Sequence, residues 1–346
     1  MFAELPKLLD RDFAVGYFLP VATFLGLNVA VLKALGFLSG LLSLAGIDLL
    51  IGTTLIGLLS WLGGIILLAV NRSLIRLLEG YGRFNPLRLL SWIEHRRYSS
   101  LHDEIAVLDQ EYRRYRTSSQ DPPRKLVLKR NRLLREAVEN FPDNAQWLLP
   151  TPFGNTIRAF EVYPRVMYGV EATTVWDRLL GVISKEHKVL VDGAKTSTDF
   201  WLNLGVLCAV TTVEVIAGAI ALRRPELMWL LPAPLVLALI ASWRGTRAAS
   251  DWGDAVKSCF DLFLPDLAVK LLLALPTDRA QERAMWSRFS QAVTYCSPES
   301  LPARASGQVE ARNAGVSALT HGTGTDTPQE EDRPGIADKE ADVCPM

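Results

Sequence analysis

FAVGYFLPVATFLGLNVAVL (residues 13–32) and LLIGTTLIGLLSWLGGIILLAV (residues 49–70) each contain no charged residue. At about 1.5 Å of rise per helical residue, either run spans the roughly 30 Å hydrocarbon core of a bilayer. A helix packed in a soluble core keeps a polar face, and neither run has one. The pair predicts a membrane hairpin over residues 13–75. Lys33 and Asp48 bound a shorter apolar piece, residues 34–47, expected to form an external or interfacial helix. Two further apolar runs, Phe200–Leu222 and Leu227–Trp243, predict a second hairpin over residues 200–243.

The expected fold is therefore an all-α membrane protein, with two transmembrane helical hairpins flanking a cytoplasmic helical domain (residues 76–199). Residues 1–12 form a cytoplasmic N-terminus and residues 244–296 a set of cytoplasmic amphipathic helices. Residues 297–346, rich in Gly, Ser, Thr, Pro and acids, form a disordered tail. Orientation follows from charge. Between Asn71 and Asn140 there are 15 Lys and Arg against 9 Asp and Glu, and a basic block directly after a hydrophobic segment marks the cytoplasmic side. Both termini then lie in the cytoplasm, as in a multipass protein of a bacterial inner membrane. The chain as a whole has a formal net charge of zero, and no block is basic enough to argue for nucleic acid. Mixed acids and bases before Phe13, with no small-residue cleavage site after it, predict no cleavable leader.

Small residues recur along the second run. Thr53, Gly57, Ser60 and Gly64 fall on one helix face, where another helix backbone approaches closely. Gly36 and Gly40 form a GxxxG pair in the intervening piece. These are helix-packing positions, within the chain or in a homo-oligomer. In the first run Pro20 removes a backbone donor and is expected to bend the helix, and Asn28 is the only amide.

In the polar middle, Asn85-Pro86 starts a helix whose Leu101, Ile105, Leu108, Tyr112 and Tyr115 follow a heptad seam. Residues 117–123 form a turn, and a second helix answers with Val127, Leu134 and Val138, ending near Phe141-Pro142. Thr151 caps a third helix, with Pro152 in its first turn and Phe153, Ile157 and Phe160 on one side. Tyr163-Pro164 is expected to end it, and Tyr168-Gly169 to turn into a helix with Val175, Leu179 and Val182 inward. Arg158 and Glu161, three apart, pair on this helix. With Asn155 and Tyr168 they are the polar members of a candidate ligand or partner site.

Gly16-Tyr17-Phe18-Leu19-Pro20, Leu77-Leu78-Glu79-Gly80-Tyr81, the run from Pro150 to Ala159 and Tyr163-Pro164-Arg165-Val166-Met167-Tyr168-Gly169 resemble segments of a group of bacterial multipass membrane proteins. Phe260-Asp261-Leu262 and residues 282–286 are similar to the group's C-terminal part. The resemblance covers roughly residues 10–290, with Glu171 where an aspartate is expected. It implies a four-span membrane protein and no particular activity.

Beyond Trp243, Phe260, Phe263, Leu264 and Leu267 form an apolar stripe that Pro265 is expected to interrupt. A last helix over 278–293 takes Thr277 as its cap. Glu214 is the one ionisable residue inside an apolar run, and such a group costs about 2.5 kcal/mol or more near the bilayer centre. Asn203, Thr211, Glu214 and Gly218 share one side of the third span, which predicts an inward polar stripe.

No P-loop, GxSxG, HExxH, dinucleotide fingerprint or CxxC pair occurs, so no catalytic residue and no cofactor is assigned. His95 and His102 lie seven apart, too far for one metal on one helix, and the four cysteines are scattered. The reading is a non-enzymatic integral membrane module that assembles, senses or binds a cytoplasmic protein. The alternative is an oligomeric channel or transporter with Glu214, Asn203 and Thr211 on its path. Two hairpins around a helical domain are similar to bestrophin-type channels in topology alone, and topology carries no function.

Overall fold

The computed structural model describes residues 10–34 and 49–303. Among them the chain is all-helical, without a strand. Nine helices are long enough to label: α1 (residues 11–34), α2 (Leu49–Leu78), α3 (Ser91–Thr117), α4 (Arg124–Asn140), α5 (Pro152–Tyr168), α6 (Ala172–Leu179), α7 (Lys185–Ala221), α8 (Pro232–Lys270) and α9 (Arg279–Thr294). Four of these, α1, α2, α7 and α8, are long and apolar enough to cross a membrane. The expected helix at 34–47, with Gly36 and Gly40, the first nine residues and the tail from 304 lie outside the described residues.

α7 runs unbroken for 37 residues and α8 for 39, so the expected borders at 199/200 and 243/244 fall inside continuous helices. At about 1.5 Å per residue each rod exceeds 50 Å, longer than an apolar layer requires. Each therefore carries an apolar part and a polar part on one axis. Small residues let the two rods close on each other. The Cβ position of Gly205 lies 3.4 Å from Ala241, and that of Gly245 lies 3.4 Å from Leu202. Pro232 and Pro234 sit in the first turn of α8, where a missing N–H breaks no helical bond.

The core gathers at the polar end of the rods. α5 and α6 pack on the second half of α8, α9 packs on α5 and α6, and Val175, Leu179, Phe260 and Trp286 are fully buried in the shared core. Phe160 seats its ring on Gly253, whose Cβ position lies 2.5 Å from that ring, so any side chain at 253 would push α5 away. The stripe Phe260, Leu264 and Leu267 continues straight through Pro265. α9 takes Asp278 as its cap, through a bond from the Gln281 N–H, rather than Thr277.

α3 and α4 form the expected hairpin, with Leu101, Ile105 and Leu108 buried. The α4 stripe differs by one residue. Leu126 is buried, Leu133, Leu134 and Ala137 pack inward, and Val138 is 59% exposed. α5 does not end at Pro164. It runs to Tyr168 and stops at Gly169, which adopts φ 76° and whose Cβ position lies 2.5 Å from the Arg283 carbonyl. Glycine is the residue that meets both demands.

Candidate functional site

Two buried polar clusters connect the apolar helices to the polar domain. The first lies where α1, α2 and α7 meet. Asp199, 2% exposed, accepts hydrogen bonds from the Tyr17 hydroxyl (2.7 Å), the Asn71 amide (3.1 Å) and the Lys195 ammonium (2.6 Å). The Asn71 amide also reaches the Tyr17 oxygen at 3.0 Å. Local sequence explains the assembly. Asn71 is the first polar residue after the second apolar run, and Lys195 and Asp199 stand one helical turn apart. Tyr17 sits in a π-helical turn, Ala14–Phe18, directly before Pro20. Pro20 has no N–H to give the Gly16 carbonyl, and the Asn203 amide donates to that oxygen at 2.8 Å.

The second cluster lies at the end of α2. The Thr151 hydroxyl donates to the Leu78 carbonyl (2.7 Å) and accepts from the Gly154 N–H (2.9 Å), so the cap of α5 also terminates α2. Gly154 has its Cβ position 2.7 Å from the Glu79 carbonyl, an approach open only to glycine. Beside it, Asn155 is fully buried. Its oxygen accepts from the Leu149 N–H (2.6 Å) and its amide donates to Glu94 (2.9 Å), which also pairs with Arg97 (2.8 Å). Arg158 bonds the Tyr81 hydroxyl and pairs with Glu161 at 3.2 Å.

Glu79 is 6% exposed, and no hydrogen bond reaches its carboxyl from the described residues. Its pKa is pushed up to about 7, first by burial and then by the Glu161 charge, against the opposing pull of Arg158 and Arg76. Burial also raises Glu161, with Arg158 opposing, and raises Tyr81.

The expected site residues therefore divide. Asn155, Arg158 and Glu161 come together at the α2–α5 joint. Tyr168 stands at the far end of α5, where it and Tyr163 both donate to Asp261 on α8 (2.7 and 2.9 Å). Burial and the bond to Asp261 push Tyr163 up to about 12.

The inward stripe on α7 is also divided. Asn203 and Thr211 are buried against α1, Thr211 within 3.4 Å of the Asn28 amide. Glu214 is exposed. It lies three turns beyond Asn203 on the same side of α7, which Gly16 covers at the level of Asn203 and nothing described covers at the level of Glu214.

Along the small-residue face of α2, Gly64 packs on the Phe13 ring (3.0 Å) and Ser60 is buried, whereas Gly57 has no described atom within 4 Å of its Cβ position.

Glu94, Asn71, Lys195 and Asp199 were not singled out in the sequence, and Tyr17 and Glu79 stood there only within the resembling segments; the i,i+4 spacing of Lys195 and Asp199 is the one local hint of a pairing. Among the described residues no group of three or more His, Cys, Asp or Glu could hold a metal ion. No family model matches this chain, and neither a curated protein nor a solved structure is found to match it.

Proposed function

We propose that this chain is a self-assembling, non-enzymatic module of a bacterial inner membrane, with α1, α2, α7 and α8 as its spans and the α3–α6 and α9 region on the cytoplasmic side. Burial supports the membrane reading: only 11% of the most apolar window of α2 is buried inside the chain, leaving Ile51, Leu58, Leu62 and Ile66 outward. The basic flank after α2 supports the orientation. The two polar clusters support a coupling role, because a shift of α2 or α7 within the bilayer would be carried to α5 through Leu78, Thr151 and Gly154.

The observation that carries self-assembly is Glu214. It is exposed on the outer surface of one chain, within an apolar helix, without a described partner. A carboxyl facing lipid costs about 2.5 kcal/mol or more, and a second copy of the chain would remove that cost. Gly57 on α2, with no described atom within 4 Å of its Cβ position, is a second position where a neighbouring helix would fit. Native mass spectrometry from detergent tests the reading. A defined oligomer that dissociates in Glu214→Leu or Gly57→Leu is the expected result, and a monomer at all protein concentrations overturns it.

The exposed carboxyl also favours a second reading, an oligomeric channel or transporter whose path Glu214 lines. Ion flux into proteoliposomes that is lost in Glu214→Gln is its expected signature, and absence of flux in the native protein removes it.

A further inference from the structure

Residues 71–100 hold six arginines, Arg72, Arg76, Arg83, Arg88, Arg96 and Arg97, and two carboxylates, Glu79 and Glu94. All six arginines are exposed. Both carboxylates are buried, Glu79 at 6% and Glu94 at 2% exposure. Arg97 is paired with Glu94, and among the described residues no ion pair reaches the other five. The surface of this segment is therefore purely cationic, although its sequence is mixed.

The same segment displays large apolar side chains. Phe84 is 91% exposed, Leu89 77% and Trp92 64%. They lie on the loop after α2, the 3₁₀ turn Pro86–Leu90 and the first turn of α3. The chain is held there firmly. Asn85 caps the turn through the Leu87 N–H (2.9 Å) and donates back to the Leu77 carbonyl (2.6 Å), which folds the segment beside the end of α2. Leu77 on α2 is itself 47% exposed and lies in line with outward Val70 and Ile66, so the apolar outer face of the helix continues to this level. Aromatic and aliphatic wedges among arginines, next to the cytoplasmic end of a span, are what an anionic lipid surface binds.

We infer that the Arg83–Arg96 segment is an interfacial anchor that lays Phe84, Leu89 and Trp92 into the cytoplasmic leaflet while Arg83, Arg88 and Arg96 bind anionic lipid headgroups. Charge complementarity and continuity with the end of α2 select this occupant. The inference rests on the membrane reading above, and its test keeps the two apart.

An apolar, polarity-sensitive fluorophore is attached at Phe84→Cys, or at Leu62→Cys on the outer face of α2, in full-length protein carrying Cys296→Ser and Cys344→Ser. The protein is placed in nanodiscs of phosphatidylcholine alone or with one third phosphatidylglycerol. Leu62 reports the span itself and is quenched by doxyl lipid in both compositions. The Phe84 label is expected to shift to the blue and be quenched by shallow doxyl lipid when phosphatidylglycerol is present. High salt or the Arg83→Gln/Arg88→Gln/Arg96→Gln variant should release it, at about a fivefold fall in partition for each arginine removed. A Phe84 label that stays in water in both compositions while Leu62 is quenched overturns the anchor and leaves the span standing. Equal shielding of Phe84 in both compositions, unmoved by the triple variant, overturns headgroup recognition. A Leu62 label that no lipid quenches overturns both readings.

Discussion

Asn203 donates its amide to the Gly16 carbonyl across 2.8 Å, at the turn where Pro20 has no N–H to offer. The bond explains two features together. α1 can carry a proline among its first turns because a side chain from α7 takes the freed oxygen, and a π-helical turn absorbs the altered register. It also places Asn203 one helical turn from Asp199, so the proline and the Tyr17–Asn71–Asp199 network hold the same two helices together.

A substitution cycle tests this relationship. Asn203→Ala strands a buried carbonyl and should destabilise the protein by about 1–3 kcal/mol. Pro20→Ala returns the missing N–H, so Asn203→Ala should cost less in that background, with a coupling of at least about 0.5 kcal/mol. Unfolding of the detergent-solubilised protein by denaturant gives all four values. Strict additivity would mean that Asn203 serves some other partner.

Asp199 is the hub of its cluster, so losses around it should not add. Asp199→Ala removes the acceptor of three groups and should cost about 3 kcal/mol, as when one member of a buried ion pair is deleted. Tyr17→Phe removes one bond to a charged acceptor, about 1.5–3 kcal/mol. The double substitution should be no less stable than Asp199→Ala by more than about 0.5 kcal/mol. A sum of the two single effects would show that Tyr17 stabilises the protein by packing on Phe13 rather than through Asp199.

Glu79 makes stability depend on pH. In the fold its carboxyl keeps a proton up to about pH 7, whereas in the unfolded chain it loses it near 4.5. Between those values the folded state binds more protons, so stability falls as pH rises and levels off above 7. The full change is up to about 3 kcal/mol. Melting temperatures measured from pH 5 to pH 8 should decline, and Glu79→Gln should flatten most of that decline. Glu161, raised in the same direction, leaves a residual slope. Parallel curves for native and variant protein would assign the dependence elsewhere.

The four long apolar helices were legible because apolar composition over about 20 residues needs no partner to be recognised. What the pattern misplaced depended on neighbours. On α4 the sets 126/133/137 and 127/134/138 have the same spacing and are offset by one residue, about 100° of rotation, and of the second set Leu134 still packs inward. Both are apolar, and only the position of α3 selects Leu126 over Val138. Pro164 reads as a helix stop, yet it is buried inside α5 and costs that helix one bond, and the geometric stop is Gly169. Glu214 shares its side of α7 with Asn203, and spacing alone cannot tell that Gly16 covers one and nothing described covers the other. The Asp199 and Glu79 clusters draw on residues tens to well over a hundred positions apart, a separation no local periodicity encodes.

Two glycines in helices should respond oppositely to alanine. Gly154 faces the backbone of α2, its Cβ position 2.7 Å from the Glu79 carbonyl, which cannot rotate away as a side chain would. Gly154→Ala should force α5 from the end of α2, stretch the Thr151–Leu78 bond and cost about 1–3 kcal/mol. Gly193, exposed on α7, has no atom within 4 Å of its Cβ position. There alanine only restricts the unfolded chain and improves helix propensity, so Gly193→Ala should stabilise by about 0.5–1 kcal/mol. Denaturant midpoints of both variants decide the matter. A neutral Gly154→Ala would mean that α5 and α2 are not rigidly joined, and the route proposed for coupling the spans to the polar domain would lose its physical link.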